Sequence, residues 1–411
     1  MNKTGITKRD TDEALKFTAK IVEEFGPRLC GTDSCKKAAY HIRSEMERHC
    51  DSSGIEEFDV RPKAFLGFLK ASVILYLASS LLLFLGYLIP AALGYTLSVV
   101  ITLSQFVFYL QLFDPFYKKK KGYNVYGIIE PEGKVKQQIL ISGHHDSAYI
   151  FNFFTRFRRL YRIRIILGFL PIDLAFIAAW CWVIMQYGFG SAPVFADFLR
   201  YGTLIAVVFT GQLYFFISPE GSPGAGDNLI ASAIALKIAE IFSRKKNRGR
   251  TPLKNTRLVF LSFDGEEAGL RGARAYAKKH KEELTSVPTY NFNLDSIYDI
   301  NEIKFLLSDL NGFVRLSRGM VKECAEITGA LGYTSRPYRM EFGAGATDAA
   351  ELAKIGVEAT TLIAMTIDLN DESFCYHTGR DTVDKIQPEA VEAVLKIVHA
   401  YLVEKDNAVN I

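Results

Sequence analysis

Five short segments, far apart in the chain, carry carboxylates and histidines of the kinds that bind divalent metal ions. Two metal ions held close together need imidazole and carboxylate ligands, one carboxylate that bridges them, open coordination positions and a separate base for a water molecule. The chain offers a candidate for each of these roles. The segments are His-His-Asp-Ser at 144–147, Gly-Ala-Gly-Asp-Asn at 224–228, Asp-Gly-Glu-Glu-Ala-Gly at 264–269, Asn-Leu-Asp-Ser at 293–296 and Tyr-His-Thr at 376–378.

Three of these segments lie at the ends of short apolar runs that are typical of buried strands. Residues 137–143 precede His144, residues 256–263 precede the pair of glutamates, and residues 290–294 precede Asp295. Ligands of open α/β sheets collect beyond the carboxyl ends of the strands, so the pattern predicts one shared site. Any one of these residues is explained equally well as an ordinary polar residue at a strand end; the ordered set favours a metal site.

The segments together resemble the co-catalytic di-zinc aminopeptidase family, which is related to glutamate carboxypeptidase and, more distantly, to the transferrin receptor ectodomain. The resemblance extends to residues 25–32, to the helical stretch 36–49, to residues 270–276 and to residues 376–384. It implies an α/β fold, with a mixed, mostly parallel central sheet flanked by helices.

Position by position, the resemblance implies two Zn²⁺ per chain. It assigns His144 and Asp295 to one ion and Glu267 and His377 to the other, with Asp227 as the bridging ligand. Sites made of imidazole and carboxylate also accept Co²⁺ or Mn²⁺, so the metal loaded in the cell stays open.

The resemblance also assigns three residues to the reaction itself. Glu266 becomes the general base, and Asp146 becomes the carboxylate that orients the His144 ring. Tyr376 resembles a tyrosine that stabilises the tetrahedral oxyanion, with a packing aromatic as the alternative.

Four positions near the motifs have weaker assignments. His145 is expected to pack or to form a hydrogen bond, and Asp264 either supports the ligands or forms a turn. Asp348 resembles a buttressing aspartate, but Ala349 follows it where relatives often carry histidine or tyrosine. Gly226 replaces an asparagine often seen before the bridging aspartate.

Long apolar blocks interrupt the motif-bearing sequence in two places. Each approaches or exceeds the roughly 20 apolar residues that a helix needs to cross a bilayer. We therefore predict two transmembrane helical hairpins; the alternatives are buried core helices or hairpins that dip into one leaflet, especially for the second pair, which contains Pro171, Asp173 and Gln212. The blocks are residues 71–89, 91–113, 165–187 and 201–217.

The predicted organisation is one catalytic domain with two insertions. Residues 55–61, 123–130 and 137–143 are expected to form successive antiparallel strands. The catalytic domain comprises residues 1–62, 122–150 and 220–411, and the hairpins comprise residues 63–121 and 151–219.

Basic residues flank the hairpins on the catalytic side. Lysines occupy 118–121, and arginines occupy 156, 158, 159, 162 and 164. The positive-inside rule then predicts a cytoplasmic catalytic domain, with the lipid bilayer rather than nucleic acid as the partner of this charge. The polar start of the chain indicates no cleavable signal peptide, and the six cysteines fit reduced cytosolic thiols.

The predicted function is that of a membrane-anchored zinc metallopeptidase. The simplest form is an aminopeptidase that removes N-terminal residues from peptides by hydroxide attack on the scissile carbonyl. A carboxypeptidase-type or other amide hydrolase would keep the same ligands and differ in the pocket around residues 307–347. A catalytically silent scaffold and a transporter are further alternatives, and the sequence leaves the oligomeric state, the residue preference and the physiological substrate open.

Overall fold

The computed structural model describes residues 5–247 and 253–409, and it divides the chain into two compact units. Unit 1 comprises residues 1–62, 119–150 and 220–411. Unit 2 comprises residues 63–118 and 151–219. The motif segments all belong to unit 1, and the long apolar blocks belong to unit 2.

The strands and helices follow in chain order. The strands are Ser52–Val60 (β1), Lys120–Ile129 (β2), Gln137–His144 (β3), Tyr149–Phe151 (β4), Ile217–Gly221 (β5), Thr256–Phe263 (β6), Thr289–Ile297 (β7), Ile303–Asp309 (β8), Val314–Arg315 (β9), Arg336–Arg339 (β10) and Glu358–Ala364 (β11). The α-helices are Lys8–Phe25 (α1), Asp33–Met46 (α2), Ala64–Phe84 (α3), Leu88–Thr102 (α4), Asn152–Phe157 (α5), Tyr161–Gly188 (α6), Ala196–Gly211 (α7), Ile230–Asn247 (α8), Arg271–Lys279 (α9), Lys281–Ser286 (α10), Arg318–Ala330 (α11), Ala349–Ala353 (α12) and Pro388–Ala408 (α13).

The main sheet of unit 1 is mixed, in the order β1-β2-β6-β3-β7-β11-β8-β10, with β9 beside β8. Strands β6, β3, β7 and β11 run parallel to one another. The outer pairs β1–β2, β2–β6 and β11–β8 are antiparallel. The prediction of three successive antiparallel strands was wrong in one respect: β6 lies between β2 and β3, so these two strands are not partners.

Strand β3 is buried along its whole length because helices cover both faces of the sheet. Ile139 and Ile141 point into the larger core, which contains side chains of α1, α2, α8 and α13. Leu140 points the other way, into a core shared with α9. This alternation is the two-residue period of a strand, and double-sided burial explains why the strand is apolar throughout.

Of the lysine cluster at 118–121, Lys118 belongs to unit 2 and the other three lysines belong to unit 1. Lys120 and Lys121 are strand residues opposite Val60 and Asp59 of β1. Lys119 and Lys121 both form ion pairs with Asp59, at 2.6 and 3.0 Å. This basic cluster therefore begins the sheet of unit 1.

Unit 2 contains four helical segments that are long and apolar enough to cross a membrane, namely Ala64–Phe84, Leu88–Val107, Asn152–Gly188 and Ala196–Phe215. Helix α6 continues through Pro171. Polar groups join the helices inside the bundle: the Tyr76 hydroxyl donates to the Thr203 carbonyl at 3.0 Å, and Trp180 Nε1 donates to Thr96 Oγ1 at 2.8 Å.

Candidate metal centre

Three parallel strands bring their carboxyl ends to one edge of the sheet of unit 1. His144 is the last residue of β3, and its strand partner in β6 is Phe263, three residues before Glu266. Asp295 lies inside β7, opposite Ile363, where the pairing with β11 shifts register. The strand ends therefore deliver an imidazole and carboxylates to the same place, as the sequence predicted.

Asp227 lies in the turn that precedes α8, and three features define the path of that turn. Gly224 has a left-handed backbone, with φ of 63°. A Cβ on Gly226 would lie 2.1 Å from Cε1 of Tyr298, so the close approach of this ring requires glycine. The carboxylate of Asp381 accepts the backbone N–H groups of Gly226 and Asp227, at 2.8 and 3.3 Å.

His377 lies in the loop between β11 and α13, with φ of 52°. The ring of Tyr376 stacks on the His377 ring, with centroids 3.9 Å apart and an angle of 18° between the planes. Positive φ in a residue other than glycine is a strained conformation that occurs preferentially at functional sites.

The two oxygens of Asp227 face two different imidazoles. Oδ1 lies 3.6 Å from Nε2 of His144, and Oδ2 lies 3.1 Å from Nε2 of His377. Glu267 Oε1 lies 3.1 Å from the same His377 nitrogen, and Glu266 Oε2 lies 3.7 Å from Nε2 of His144. This is the arrangement in which one carboxylate can bridge two metal ions.

Donor atoms cluster tightly around His144. In one group, the donor atoms of His144, Asp227 and Glu267 all lie within 4.8 Å of one another. In a second group, the donor atoms of His144, Glu266 and Asp295 lie equally close together. Both glutamates are thus near His144, so proximity alone does not decide which of them would bind a metal.

Asp146 connects the two halves of the cluster. Its two carboxylate oxygens accept the backbone N–H groups of Glu266 and Glu267, both at 3.2 Å. Nδ1 of His144 lies 3.1 Å from the backbone carbonyl oxygen of Asp146 and 3.3 Å from Oδ1. Asp146 thus orients the His144 ring mainly through its backbone, and its buried carboxylate holds the turn that carries both glutamates, which is the kind of support that metal ligands need.

The carboxylates outnumber the cations that face them, and the pKa values reflect this excess. Burial first, and then Asp227 and Glu267, raise the pKa of Asp295 to about 7 against the opposing effect of His144. Burial and the neighbouring carboxylates also raise the pKa of Glu266 well above its usual value. Burial lowers the pKa of His377, but Glu267 and Asp227 more than compensate and bring it to about 10.

Buried polar atoms at the centre of the cluster show what these residues can hold. His144 Nε2, Asp227 Oδ2 and Glu267 Oε1 form no hydrogen bond of acceptable geometry among the described residues, although the two oxygens lie 3.1 Å from His377 Nε2. Such atoms are costly unless a ligand satisfies them. Imidazole nitrogens and carboxylate oxygens are the donors that zinc accepts, so the residues fit a zinc centre.

The weaker assignments have defined places in the structure. His145 is buried and contacts Ser262 Oγ through Nδ1 at 2.8 Å, and Asp264 is buried and accepts the Tyr123 N–H at 2.9 Å. Asp348 is buried, and neither of its carboxylate oxygens has a hydrogen-bond partner among the described residues. Burial first, and then Asp146, Asp295 and Asp309 against the opposing effect of His144, raise the pKa of Asp348 well above its usual value.

Three residues that position the site were not singled out from the sequence. Asp381 supports the Asp227 turn, although it lies inside the last motif. Ser296 Oγ donates to Asp295 at 2.8 Å. Arg28 is fully buried and donates to the carbonyls of His145, Pro223 and Gly224, at 2.9, 2.9 and 2.7 Å. Its partners are backbone atoms, which leave no signal in sequence.

Comparisons with known proteins agree with this fold. Residues 210–402 match the model of Peptidase family M28. A zinc aminopeptidase from Bacillus subtilis has a TM-score of 0.56 at 15% identity, with 96% of this chain and 95% of that chain covered. A Zn-dependent exopeptidase from Parabacteroides distasonis has a TM-score of 0.54 at 15% identity, over 95% and 97% of the two chains. Fimbriiglobus ruber glutaminyl cyclase has a TM-score of 0.53 at 14% identity, over 95% and 94%. No curated protein sequence matches the chain.

Proposed function

We propose that this chain, whose residues 210–402 form a Peptidase family M28 domain, is a membrane-anchored di-zinc aminopeptidase. The observation that carries the proposal is the placement of Asp227, with one carboxylate oxygen towards His144 and the other towards His377. A carboxylate between two imidazoles, with further carboxylates at 267 and 295, supports two zinc sites that share one ligand.

Zinc, when bound, would polarise the scissile carbonyl and lower the pKa of a water molecule. The chain itself supplies the base and its orientation. Glu266 takes the proton from the attacking water at its side-chain carboxylate, and Asp146 holds the turn that carries it. In the proposal, the hydroxyl of Tyr376, whose ring stacks on His377, stabilises the oxyanion.

Selection for a free N-terminus would come from the acidic character of the site. The side chains of Glu266 and Asp295 are buried beside other carboxylates and carry no lysine or arginine partner in the described contacts. In the proposal, these two carboxylates accept hydrogen bonds from the free amine of the substrate. A C-terminal carboxylate has no donor to offer them and is repelled by them.

The test is a substrate panel with protein purified in detergent. It contains aminoacyl amides, N-blocked peptides and peptides with a free C-terminus, assayed with wild type, Glu266→Gln and, as a control, Glu389→Gln on the exposed face of α13. We expect cleavage confined to free N-termini, a loss of at least about 100-fold in Glu266→Gln, and wild-type rates in Glu389→Gln.

The zinc content of the purified variants distinguishes a general base from a metal ligand. Glu266→Gln should keep the wild-type amount of zinc, whereas Asp227→Ala should lose it. Cleavage from the carboxyl end would favour a carboxypeptidase-type enzyme. Zinc binding without any turnover would favour the silent scaffold and overturn the proposal.

A glutaminyl cyclase among the similar structures adds one substrate to the panel. Peptides with N-terminal glutamine distinguish the reactions by product mass. Hydrolysis releases free glutamine and a shortened peptide, whereas cyclisation releases ammonia and keeps the peptide bond.

Membrane anchoring and orientation complete the proposal. The described connection from 189 to 195, between α6 and α7, carries no charge, whereas the arginines at 156–164 precede α6. A membrane-impermeant thiol reagent should therefore label Val194→Cys in intact cells. Lys134→Cys, which is exposed on unit 1, should be labelled only after permeabilisation. The reverse pattern would invert the orientation.

A further inference from the structure

A second cluster of metal-type donors lies beside the candidate zinc centre and shares no side chain with it. The donor atoms of Cys35, His145 and Asp264 all lie within 4.8 Å of one another. All three side chains are completely buried. The five residues assigned to the zinc centre include no cysteine, so this cluster has a different chemistry.

His145 has a nitrogen directed at this cluster that nothing else satisfies. Its Nδ1 contacts Ser262 Oγ at 2.8 Å, Ser262 Oγ contacts Ser232 Oγ at 2.7 Å, and Ser232 donates to the His144 carbonyl at 3.2 Å. Because the last group in this chain can only accept, the hydrogen bonds run from the ring outwards, and Nδ1 carries the proton. Nε2 is then a bare acceptor, and it has no hydrogen-bond partner among the described residues.

The other two members are already held in place around the same point. The Cys35 thiol donates to Asp264 Oδ1 at 3.3 Å, and Asp264 Oδ2 accepts the Tyr123 N–H at 2.9 Å. Burial and then the Asp264 carboxylate raise the pKa of the Cys30 thiol well above its usual value, so Cys30 lies close to the same cluster. A neutral imidazole with a fixed tautomer, a carboxylate and a thiol, all completely buried, are donors that zinc accepts.

We propose that Cys35, His145 and Asp264 bind an additional Zn²⁺, with Cys30 as the nearby candidate for the fourth ligand. On binding, the Cys35 thiol loses its proton, which leaves to solvent, and sulfur, Nε2 and Oδ1 coordinate the ion. The site joins α2 to the ends of β3 and β6, which carry His144 and the glutamate pair. The bound ion would therefore hold α2 against the strand ends that carry the ligands of the candidate zinc centre.

The test uses cobalt as a spectroscopic probe of the full-length chain in detergent under reducing conditions. A thiolate bound to Co²⁺ gives a charge-transfer band in the near ultraviolet, and imidazole and carboxylate ligands do not. We expect the band in wild type, its loss in Cys35→Ser, and its retention in Cys324→Ser, a buried cysteine of α11. Mass-spectrometric metal analysis should find one zinc fewer per chain in Cys35→Ser than in wild type.

Two further variants distinguish loss of this site from misfolding and from loss of the candidate zinc centre. His145→Asn should also remove the band if Cys35→Ser fails to fold, whereas Asp227→Ala should keep it even though peptide hydrolysis is lost. Failure of this inference is thus separable from failure of the proposed aminopeptidase activity. A cobalt-loaded wild type without a thiolate band, or a band that persists at full intensity in Cys35→Ser, would overturn the proposal.

Discussion

At the scale of single residues, the bridging position of Asp227 depends on a carboxylate that does not face the metals. Asp381 accepts two backbone N–H groups of the Asp227 turn, and an amide at this position would accept with only one oxygen. We expect Asp381→Asn to lower zinc affinity or activity by about 10- to 100-fold. Zinc titration and kinetics would measure this, with the exposed Asp384→Asn as a control; equal affinities would show that the loop holds its shape without Asp381.

Gly226 allows the turn to pass beneath the Tyr298 ring. A methyl group at this position would lie 2.1 Å from the ring, so Gly226→Ala should lower the free energy of unfolding by about 1–3 kcal/mol and should also reduce activity. Gly329→Ala in α11 is the matched control because no atom lies within 4 Å of the added methyl. Thermal melting compares the two variants, and equal melting temperatures would contradict the predicted clash.

Ligand-type residues were more predictable from the sequence than the residues that support them. His144, Asp227, Glu267, Asp295 and His377 are spread over more than half of the chain, yet the structure brings them together. Zinc chemistry restricts the residue types at such positions, and that restriction is visible in sequence. Arg28 binds backbone carbonyls contributed by distant segments, and no local pattern reports such contacts.

At the scale of elements, the apolar runs in the sequence predicted where the strands lie. They predicted only part of the order in which the strands pair in the sheet. The runs ending before His144 and Glu266 became β3 and β6. The insertion of β6 between β2 and β3 is a long-range pairing, and neighbouring sequence contains no information about it. Helix α6 also continues through Pro171, where sequence alone would favour a helix end.

The helices of unit 2 depend on hydrogen bonds between segments that are distant in sequence. Tyr76 of α3 donates to the Thr203 carbonyl of α7 across the two insertions. We expect Tyr76→Phe to destabilise unit 2 by about 1 kcal/mol, as single interhelical hydrogen bonds do. Unfolding in mixed detergent micelles would measure the loss, with Tyr187→Phe, which is 68% exposed, as the control. Equal stability of both variants would show that packing alone holds these helices.

At the scale of the whole molecule, metal should decide how stable unit 1 is. Without bound cations, Asp227, Asp295 and Glu267 are buried carboxylates that repel one another. Removing zinc with a chelator should therefore lower the melting temperature of unit 1, and added zinc should restore it, since a ligand at about 1,000 times its Kd contributes roughly 4 kcal/mol. Asp227→Ala should lose the part of this response that comes from the two ions at the Asp227 site. A wild-type melting temperature that changes with neither the chelator nor added zinc would argue against metal binding.

The pairing of β1 with β2 shows where the first insertion leaves the sheet. Val60 and Lys120 are cross-strand partners in β1 and β2, so residues 63–118 stand where a tight hairpin turn would close the same pair of strands. The second insertion likewise lies between two paired strands, β4 and β5. Both apolar insertions therefore leave from turns between paired strands, and neither changes the order of the sheet of unit 1. Replacing each insertion by a short turn at these two junctions would give a chain made of unit 1 alone.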